Sequence, residues 1–107
     1  MQHELIVVPD AAAVSRAAAE RVAVAAQAAV AERGAFSLAV SGGRSPWAMF
    51  ADLAELDVPW ESVEIYQVDE RVAPEGDPLR NLTHLRESLG PQLPVQVHPM
   101  PVEADDL

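Results

Sequence analysis

The chain has 107 residues, of which 50% are hydrophobic and none is cysteine, so it can form one modest domain without disulfides or thiolate metal sites. It has no apolar run long enough for a transmembrane helix, and its N-terminus lacks the basic region of a signal peptide. The net charge is −10 and all seven basic residues are arginines, which argues against binding to nucleic acid or to anionic membranes. The lack of cysteine favours a cytoplasmic protein.

The first half of the chain predicts two strands that flank one long helix. Residues 4–8 (ELIVV) form a β-rich run. Asp10 is placed to cap a helix over 11–33, and Gly34 is placed to end it. This helix is expected to bury the face that carries Val14, Ala18, Val22, Ala25 and Ala29. A second strand is predicted over 36–40 (FSLAV).

The second half continues the alternation of helices and strands. A second helix is predicted from Trp47 to about Asp57, and a third strand over 63–68 (VEIYQV). Asp77 and Pro78 suit the N-cap and the first position of a third helix. Its apolar stripe consists of Leu79, Leu82, Leu85 and Leu89. A fourth strand is predicted over 95–98 (VQVH).

This order of elements indicates the fold class. Strands that alternate with helices form right-handed βαβ units and a parallel sheet, which define an α/β fold. Residues 101–107 (PVEADDL) are typical of the start of another helix, because acidic side chains suit its first turn. We therefore expect residues 1–107 to be the N-terminal part of a single α/β domain that is cut off here.

The segment 40–46 (VSGGRSP) predicts a tight turn between a strand and a helix. Such a junction presents free backbone N–H groups and the positive end of a helix dipole, which favour a phosphate. Gly42 and Gly43 allow close approach, and Arg44 can add a guanidinium group. Ser45 is expected to cap the helix, with Pro46 at its first position. The spacing is neither that of a dinucleotide site nor that of an ATP site, and a purely structural turn stays an alternative.

A charged triplet, Asp69-Glu70-Arg71, comes directly after the third strand. Ligands of parallel α/β sheets bind at the carboxyl ends of the strands, so this triplet and the glycine turn are expected to converge. An anion cradle beside an acid and an arginine suits a phosphorylated substrate with polar chemistry at its other end. The alternative for the triplet is a solvated charged loop.

Three motifs together resemble one enzyme family. They are VSGGRSP, the pattern W-x-x-V-x-x-Y-x-V-D-E-R-x-x-P over 60–74 with an asparagine at position 81, and HPMPVEADDL at the end. This combination resembles the 6-phosphogluconolactonases, whose wider relatives are glucosamine-6-phosphate isomerases and deaminases. The resemblance implies a Rossmann-like three-layer fold of the isomerase and CoA-transferase type. It also implies hydrolysis of a phosphorylated sugar lactone without a metal or an organic cofactor.

The resemblance implies roles for seven residues. The phosphate-binding residues would be Ser41, Gly42, Gly43 and Arg44, with Asp69 and Arg71 lining the pocket and Asn81 beside it. Asp69 would take the catalytic part, by orienting a histidine or by contacting sugar hydroxyls. By this resemblance, the deaminase branch has Asp-Glu-Tyr or Asp-Glu-Phe at the position of this triplet. Arg71 matches the lactonase form and therefore favours the lactonase branch. The chain departs from the family at Ser45, usually threonine, and at Arg80, usually serine.

The histidine that would act as general base is not in this sequence. In the family it lies in a Gly-x-Asp-Gly-His segment, which the 107 residues do not contain. His3, His84 and His98 do not match that motif and are interpreted as structural or surface residues. Three hypotheses stay open. The chain is the N-terminal part of a 6-phosphogluconolactonase, or an enzyme of the isomerase or deaminase branch, or a non-catalytic phosphate-binding module or remnant whose exposed sheet edge pairs with another chain. The partner that we expect is a small sugar phosphate.

Overall fold

A computed structural model of the chain describes residues 10–103. Its elements are helix α1 (Ala11–Arg33), strand β1 (Phe36–Val40), helix α2 (Arg44–Leu53), a 3-10 turn (Trp60–Ser62), strand β2 (Val63–Gln67), helix α3 (Asn81–Leu89) and strand β3 (Gln96–His98). Three of the four predicted strands are therefore present within a residue of their predicted bounds, and the predicted strand over 4–8 lies outside the described residues. No helix in the part that the structure describes is long and apolar enough to cross a membrane.

The three strands form one parallel sheet in the order β1-β2-β3. Val40 is opposite Gln67, and Tyr66 is opposite His98, so all three strands run toward the same edge of the sheet. The predicted α/β class with a parallel sheet is confirmed.

The core lies on one face of this sheet. Val63 and Ile65 of β2 are buried in a cluster with Phe50 and Leu53 of α2. Tyr66, the next residue of β2, is 41% exposed. This alternation follows from the two-residue period of a strand, which turns successive side chains to opposite faces. The described residues therefore supply two layers of the three that the fold class predicts.

Helix α1 packs through a different face from the one predicted. The buried residues are Ser15, Ala19, Ala23, Ala26 and Ala29, and only the last of these belongs to the predicted set. Val14 is 53% exposed. The prediction failed because alanine occurs on every side of this helix and gives no clear apolar stripe. A hydrogen bond of 2.6 Å from the Ser15 hydroxyl to Asp52 of α2 joins the two helices on the observed face.

Helix α2 begins three residues earlier than predicted. Its N-cap is Gly43, not Ser45, and the Gly43 carbonyl accepts the amide of Trp47 at 3.1 Å. Pro46 is accordingly the third helical residue rather than the first, which costs no hydrogen bond because first-turn amides have no partner within the helix.

Helix α3 begins four residues after the predicted N-cap. Asp77 caps a separate turn through its side chain, which accepts the amide of Leu79 at 2.8 Å, and the helix starts only at Asn81. Leu79 is consequently 68% exposed, while the other three leucines of the stripe are buried. The carboxylate that accepts the first amides of this helix is that of Glu70, which follows β2.

The observed face of α1 leads to a stability prediction. Ala26 has no exposed surface, whereas Ala25, which belonged to the predicted face, is exposed. We expect Ala26→Leu to lower the free energy of unfolding by about 1–3 kcal/mol, because the larger side chain must force α1 away from its neighbours. Ala25→Leu is the matched control and should stay within about 0.5 kcal/mol of the wild type. Urea denaturation measures both, and an equal effect of the two would contradict the observed face.

Candidate functional site

Two loops leave the sheet side by side at the carboxyl ends of β1 and β2. Residues 41–43 lead from β1 into α2, and residues 68–71 follow β2. The amide of Val68 donates to the carbonyl of Val40 at 2.9 Å, which continues the strand pairing to the point where the loops begin. The glycine turn and the charged triplet thus start from one place.

The N-terminus of α2 is open toward this edge. Gly43, the N-cap, has a φ of 128° that other residues rarely adopt, makes no side-chain cap, and is followed by no acidic residue in the first turn. Within residues 10–103, no acceptor is found for the amides of Gly42, Gly43, Arg44 and Ser45. Unpaired amides at the positive end of a helix dipole attract an anion.

Asn81 closes the space between the two loops. A Cβ atom added to Gly42 would lie less than 3.0 Å from three side-chain atoms of Asn81, so only glycine lets Asn81 approach the turn this closely. The side-chain nitrogen Nδ2 of Asn81 also lies 3.4 Å from the backbone carbonyl oxygen of Asp69 and 3.5 Å from its carboxylate. Gly42, Asp69 and Asn81 therefore meet at one point, with the Asp69 side chain exposed.

Glu70 is the most heavily bonded side chain at this edge. Its carboxylate has no exposed surface and accepts the backbone amides of Arg71 at 2.7 Å, Asn81 at 2.6 Å and Leu82 at 3.0 Å. The side chain of Gln67 donates to it at 2.9 Å. Burial raises the pKa of Glu70, but the donors from Gln67, Arg80, Arg71 and Asn81 outweigh it and lower the pKa from 4.5 to about 2.

Arg80 is turned inward and is only 1% exposed. Its Nε atom lies 2.9 Å from a Glu70 oxygen, in an ion pair without hydrogen-bond geometry at Nε. Its Nη1 atom contacts the Glu103 carboxylate and donates to the carbonyl of Ala73 at 3.1 Å. Glu70 and then Glu103 raise the pKa of Arg80 above its ordinary value, against the opposing effect of burial.

The sequence prediction missed the parts that Glu70 and Arg80 play. The sequence pattern presents Glu70 only as the middle of a charged triplet, and Arg80 only as a departure from the family pattern. It predicts Glu103 in the first turn of a helix, whereas residues 102 and 103 lie in a turn that carries its carboxylate to Arg80. A usable signal was the position of Arg80 directly before Asn81, since a guanidinium there can reach back to the triplet.

Three other predicted residues lie at the surface. Arg71, Ser41 and Arg44 are exposed. Ser41 and Arg44 border a cavity of about 660 Å³ with mostly apolar walls, formed where α1, β1 and α2 meet. Gly42, Asp69 and Asn81 do not line this cavity. The cavity is therefore next to the point where these three residues meet, but it is separate from that point.

The two histidines in the described part of the chain have structural contacts. His84 of α3 stacks on Trp47 with ring centroids 4.2 Å apart and hydrogen-bonds to the Pro78 carbonyl at 2.7 Å. His98 of β3 stacks on Tyr66 and lies 3.0 Å from a Glu64 oxygen. Both agree with the structural interpretation, and His3 lies outside the described residues. Between residues 10 and 103 no group of three acidic, histidine or cysteine side chains could hold a metal ion.

This arrangement has the parts of an anion site together with one exposed acid. The open amides at α2 and the exposed arginines provide hydrogen-bond donors and positive charge, and Asp69 provides a carboxylate within reach of Asn81. Hydrolysis of an ester also needs a base that activates water. In the described residues, both histidines are already held in the stacked and hydrogen-bonded contacts given above.

Comparison with known proteins gives a consistent result. The family described as glucosamine-6-phosphate isomerases/6-phosphogluconolactonase matches residues 9–107. The 6-phosphogluconolactonase of Neisseria meningitidis serogroup A is 46% identical over 65 residues, which are 61% of this chain and 28% of that protein. The 6-phosphogluconolactonase of Streptomyces coelicolor is 34% identical over 104 residues, 91% of this chain and 40% of that protein. The chain thus spans well under half the length of these relatives.

Solved structures agree with this similarity. The 6-phosphogluconolactonase of Shewanella baltica OS155 superposes with a TM-score of 0.79 at 30% identity, covering 85% of this chain and 40% of that one. The 6-phosphogluconolactonase of Trypanosoma brucei superposes with a TM-score of 0.81 at 21% identity, covering 92% and 39%, which supports the fold alone.

The contact between Gly42 and Asn81 gives the second prediction. Gly42 does not have a positive φ, so Gly42→Ala meets no backbone strain and acts only through the crowded Asn81 side chain. We expect Gly42→Ala to lower the free energy of unfolding by about 1 kcal/mol, at the lower end of overpacking costs because the asparagine can move. In an Asn81→Ala background the same change should have no effect. A double-mutant cycle by urea denaturation measures this, and additive effects would contradict the contact.

Proposed function

Because the chain belongs to the family of glucosamine-6-phosphate isomerases and 6-phosphogluconolactonases, we propose that it is the phosphate-binding part of a 6-phosphogluconolactonase. The reaction is hydrolysis of 6-phospho-D-glucono-1,5-lactone to 6-phosphogluconate in the pentose phosphate pathway. The observation that carries the proposal is the open N-terminus of α2 beside the point where Gly42, Asp69 and Asn81 meet. A sugar phosphate could place its phosphate on the amides and its ring toward Asp69.

Each predicted residue has a proposed part. The backbone amides of Gly42 and Gly43 bind phosphate oxygens, and Ser41 and Arg44 add a hydroxyl and a guanidinium at the rim. Arg71 supplies a second positive charge from the neighbouring loop. Its presence in the triplet, and the names of the relatives, favour the lactonase over the isomerase and deaminase branch.

The chemistry needs a water molecule and a base. Water attacks the C1 carbonyl of the lactone, the base takes a proton from it, and the bond from C1 to the ring oxygen breaks as that oxygen gains a proton. We assign Asp69 a supporting part in this step, in which it orients the base or contacts sugar hydroxyls. A carboxylate is a weaker base for the step itself than the histidine that the family uses. Asn81 holds Asp69 in place from the side.

Two further points of the proposal concern the domain and the cellular location. Residues 1–107 are proposed to lie within one α/β sugar-phosphate-binding domain, and the protein is proposed to act in the cytoplasm on a small molecule. The Gly-x-Asp-Gly-His segment that carries the base in the family is not among these 107 residues.

The anion site makes the third prediction. Crystals grown in sulfate, or soaked with 6-phosphogluconate, should contain an oxyanion on the amides of Gly42 and Gly43. Gly43→Val should remove this binding, because a valine at a φ of 128° must distort the turn. Gly34→Val is the matched control, since Gly34 also has a positive φ, of 79°, and lies at the far end of α1. An anion bound elsewhere while the turn stays empty would contradict the proposal.

The fourth prediction concerns catalysis by the 107 residues alone. We expect that purified chain to hydrolyse 6-phosphogluconolactone no faster than the spontaneous reaction, because binding a phosphate does not supply a base. The assay follows acid release and subtracts the rate without protein. Turnover that scales with protein and disappears in Asp69→Asn would show that Asp69 is the base. Turnover that survives this substitution would place the base elsewhere among these residues.

A further inference from the structure

Glu70 connects the two segments that carry the site. Its buried carboxylate accepts amides from its own loop, at Arg71, and from the first turn of α3, at Asn81 and Leu82. Glu70 and Asn81 are eleven residues apart in the sequence. None of the proposed contacts to a ligand uses Glu70, so its bonds have no part in the function described above.

Glu70 acts as the cap of α3 in place of a local residue. The N-cap of α3 is Arg80, which makes no side-chain hydrogen bond to the helix. The first amides of any helix lack acceptors within the helix, and a carboxylate there also complements the helix dipole. Since Glu70 accepts the amides of Asn81 and Leu82, the position of the helix start is fixed relative to the 69–71 loop.

Arg80 makes the buried carboxylate tolerable at this place. A buried ion pair is stable only when both charges are well compensated, and removal of one partner leaves an uncompensated charge. Arg80 lies against Glu70, and its Nη1 atom makes two further contacts, to Glu103 and to the carbonyl of Ala73. The residue next to Glu70 is Asp69, and the residue next to Arg80 is Asn81. Each partner of the ion pair is therefore the sequence neighbour of one site residue.

We propose that Glu70 and Arg80 form a positioning pair, which holds Asp69 and Asn81 against Gly42 and so sets the geometry of the sugar-phosphate site. The proposal rests on the proposed function for its ligand, though not for its geometry. Both residues act through their neighbours and neither touches the ligand.

The first test uses the wild-type protein without ligand. Amide hydrogen exchange, read by NMR, should show the amides of Asn81 and Leu82 exchanging at least about tenfold more slowly than those of Arg44 and Ser45, because local protection follows hydrogen bonding. The comparison is matched, since both pairs lie in the first turn of a helix and only α3 has a carboxylate on its amides. Equal exchange rates at the two helix starts would overturn the proposal.

The second test compares two substitutions of glutamate. Glu70→Gln keeps the shape of the side chain but removes the charge that faces Arg80. Glu75→Gln is the control, because Glu75 forms an ion pair with Arg86 of the same 2.9 Å length at the surface. We expect Glu70→Gln to speed exchange at Asn81 and Leu82 and to lower kcat/KM of the intact enzyme by about 10- to 100-fold, as misplaced groups do. Glu75→Gln should leave both unchanged.

A purely structural part for the pair gives a different result. In that case Glu70→Gln would lower the urea midpoint while the kinetics of the folded protein stayed at the wild-type values, and this outcome would overturn the proposal. Arg80→Lys serves if Glu70→Gln does not fold, since it keeps one positive charge and loses the second contact. The kcat/KM of Arg80→Lys should lie between that of Arg80→Met and that of the wild type. Equal values for the two variants would also overturn the proposal.

Failure of the proposed function can be told apart from failure of this inference. If the intact protein binds no 6-phosphogluconate, the proposed function is wrong, and the nuclear Overhauser contact between the Asn81 side chain and the Gly42 α-protons then decides. Loss of that contact in Glu70→Gln, with retention in Glu75→Gln, supports the positioning pair. Retention in both overturns it.

Discussion

The buried carboxylate of Glu70 is the constraint on which this edge of the molecule depends. A charge without solvent must be surrounded by donors, and here the donors come from its own loop, from β2 and from the start of α3. That requirement draws the helix start to the loop. It explains why α3 begins at Asn81 and leaves Leu79 exposed, although a leucine stripe and an Asp-Pro pair favoured an earlier start.

The three helices within residues 10–103 begin in three different ways, and the difference bears on the proposed function. Asp10 caps α1 through its side chain, which accepts the amide of Ala13 at 2.8 Å, and Glu70 caps α3 from a distance. Only α2 has no carboxylate at its start in the described part of the chain. A helix start that lacks an internal anion can take an external one. The glycines before it contribute by keeping side chains away.

Local sequence patterns were sufficient where the cause was local. The strand over 36–40 was predicted with its observed bounds because its β-branched and aromatic residues end at a glycine turn. The convergence of the two loops followed from parallel topology alone. The face of α1 could not be read from alanines, since the Ser15 bond to Asp52 that accompanies it joins residues 37 apart. The start of α3 could not be read either, because its cap lies eleven residues upstream.

The proposed anion site lies on an acidic chain. A net charge of −10 acts weakly at a given point, because salt screens charges beyond about 8–10 Å. What matters is the charge within that distance, and there Glu70 is already matched by Arg80 and by three backbone amides. Asp69 is exposed, and its carboxylate lies 3.5 Å from the side chain of Asn81. Arg44 in the turn and Arg71 in the neighbouring loop are both exposed and can add positive charge there. In the proposed function, the phosphate is thus attracted to the open amides of α2, while the Asp69 carboxylate meets the neutral part of the ligand.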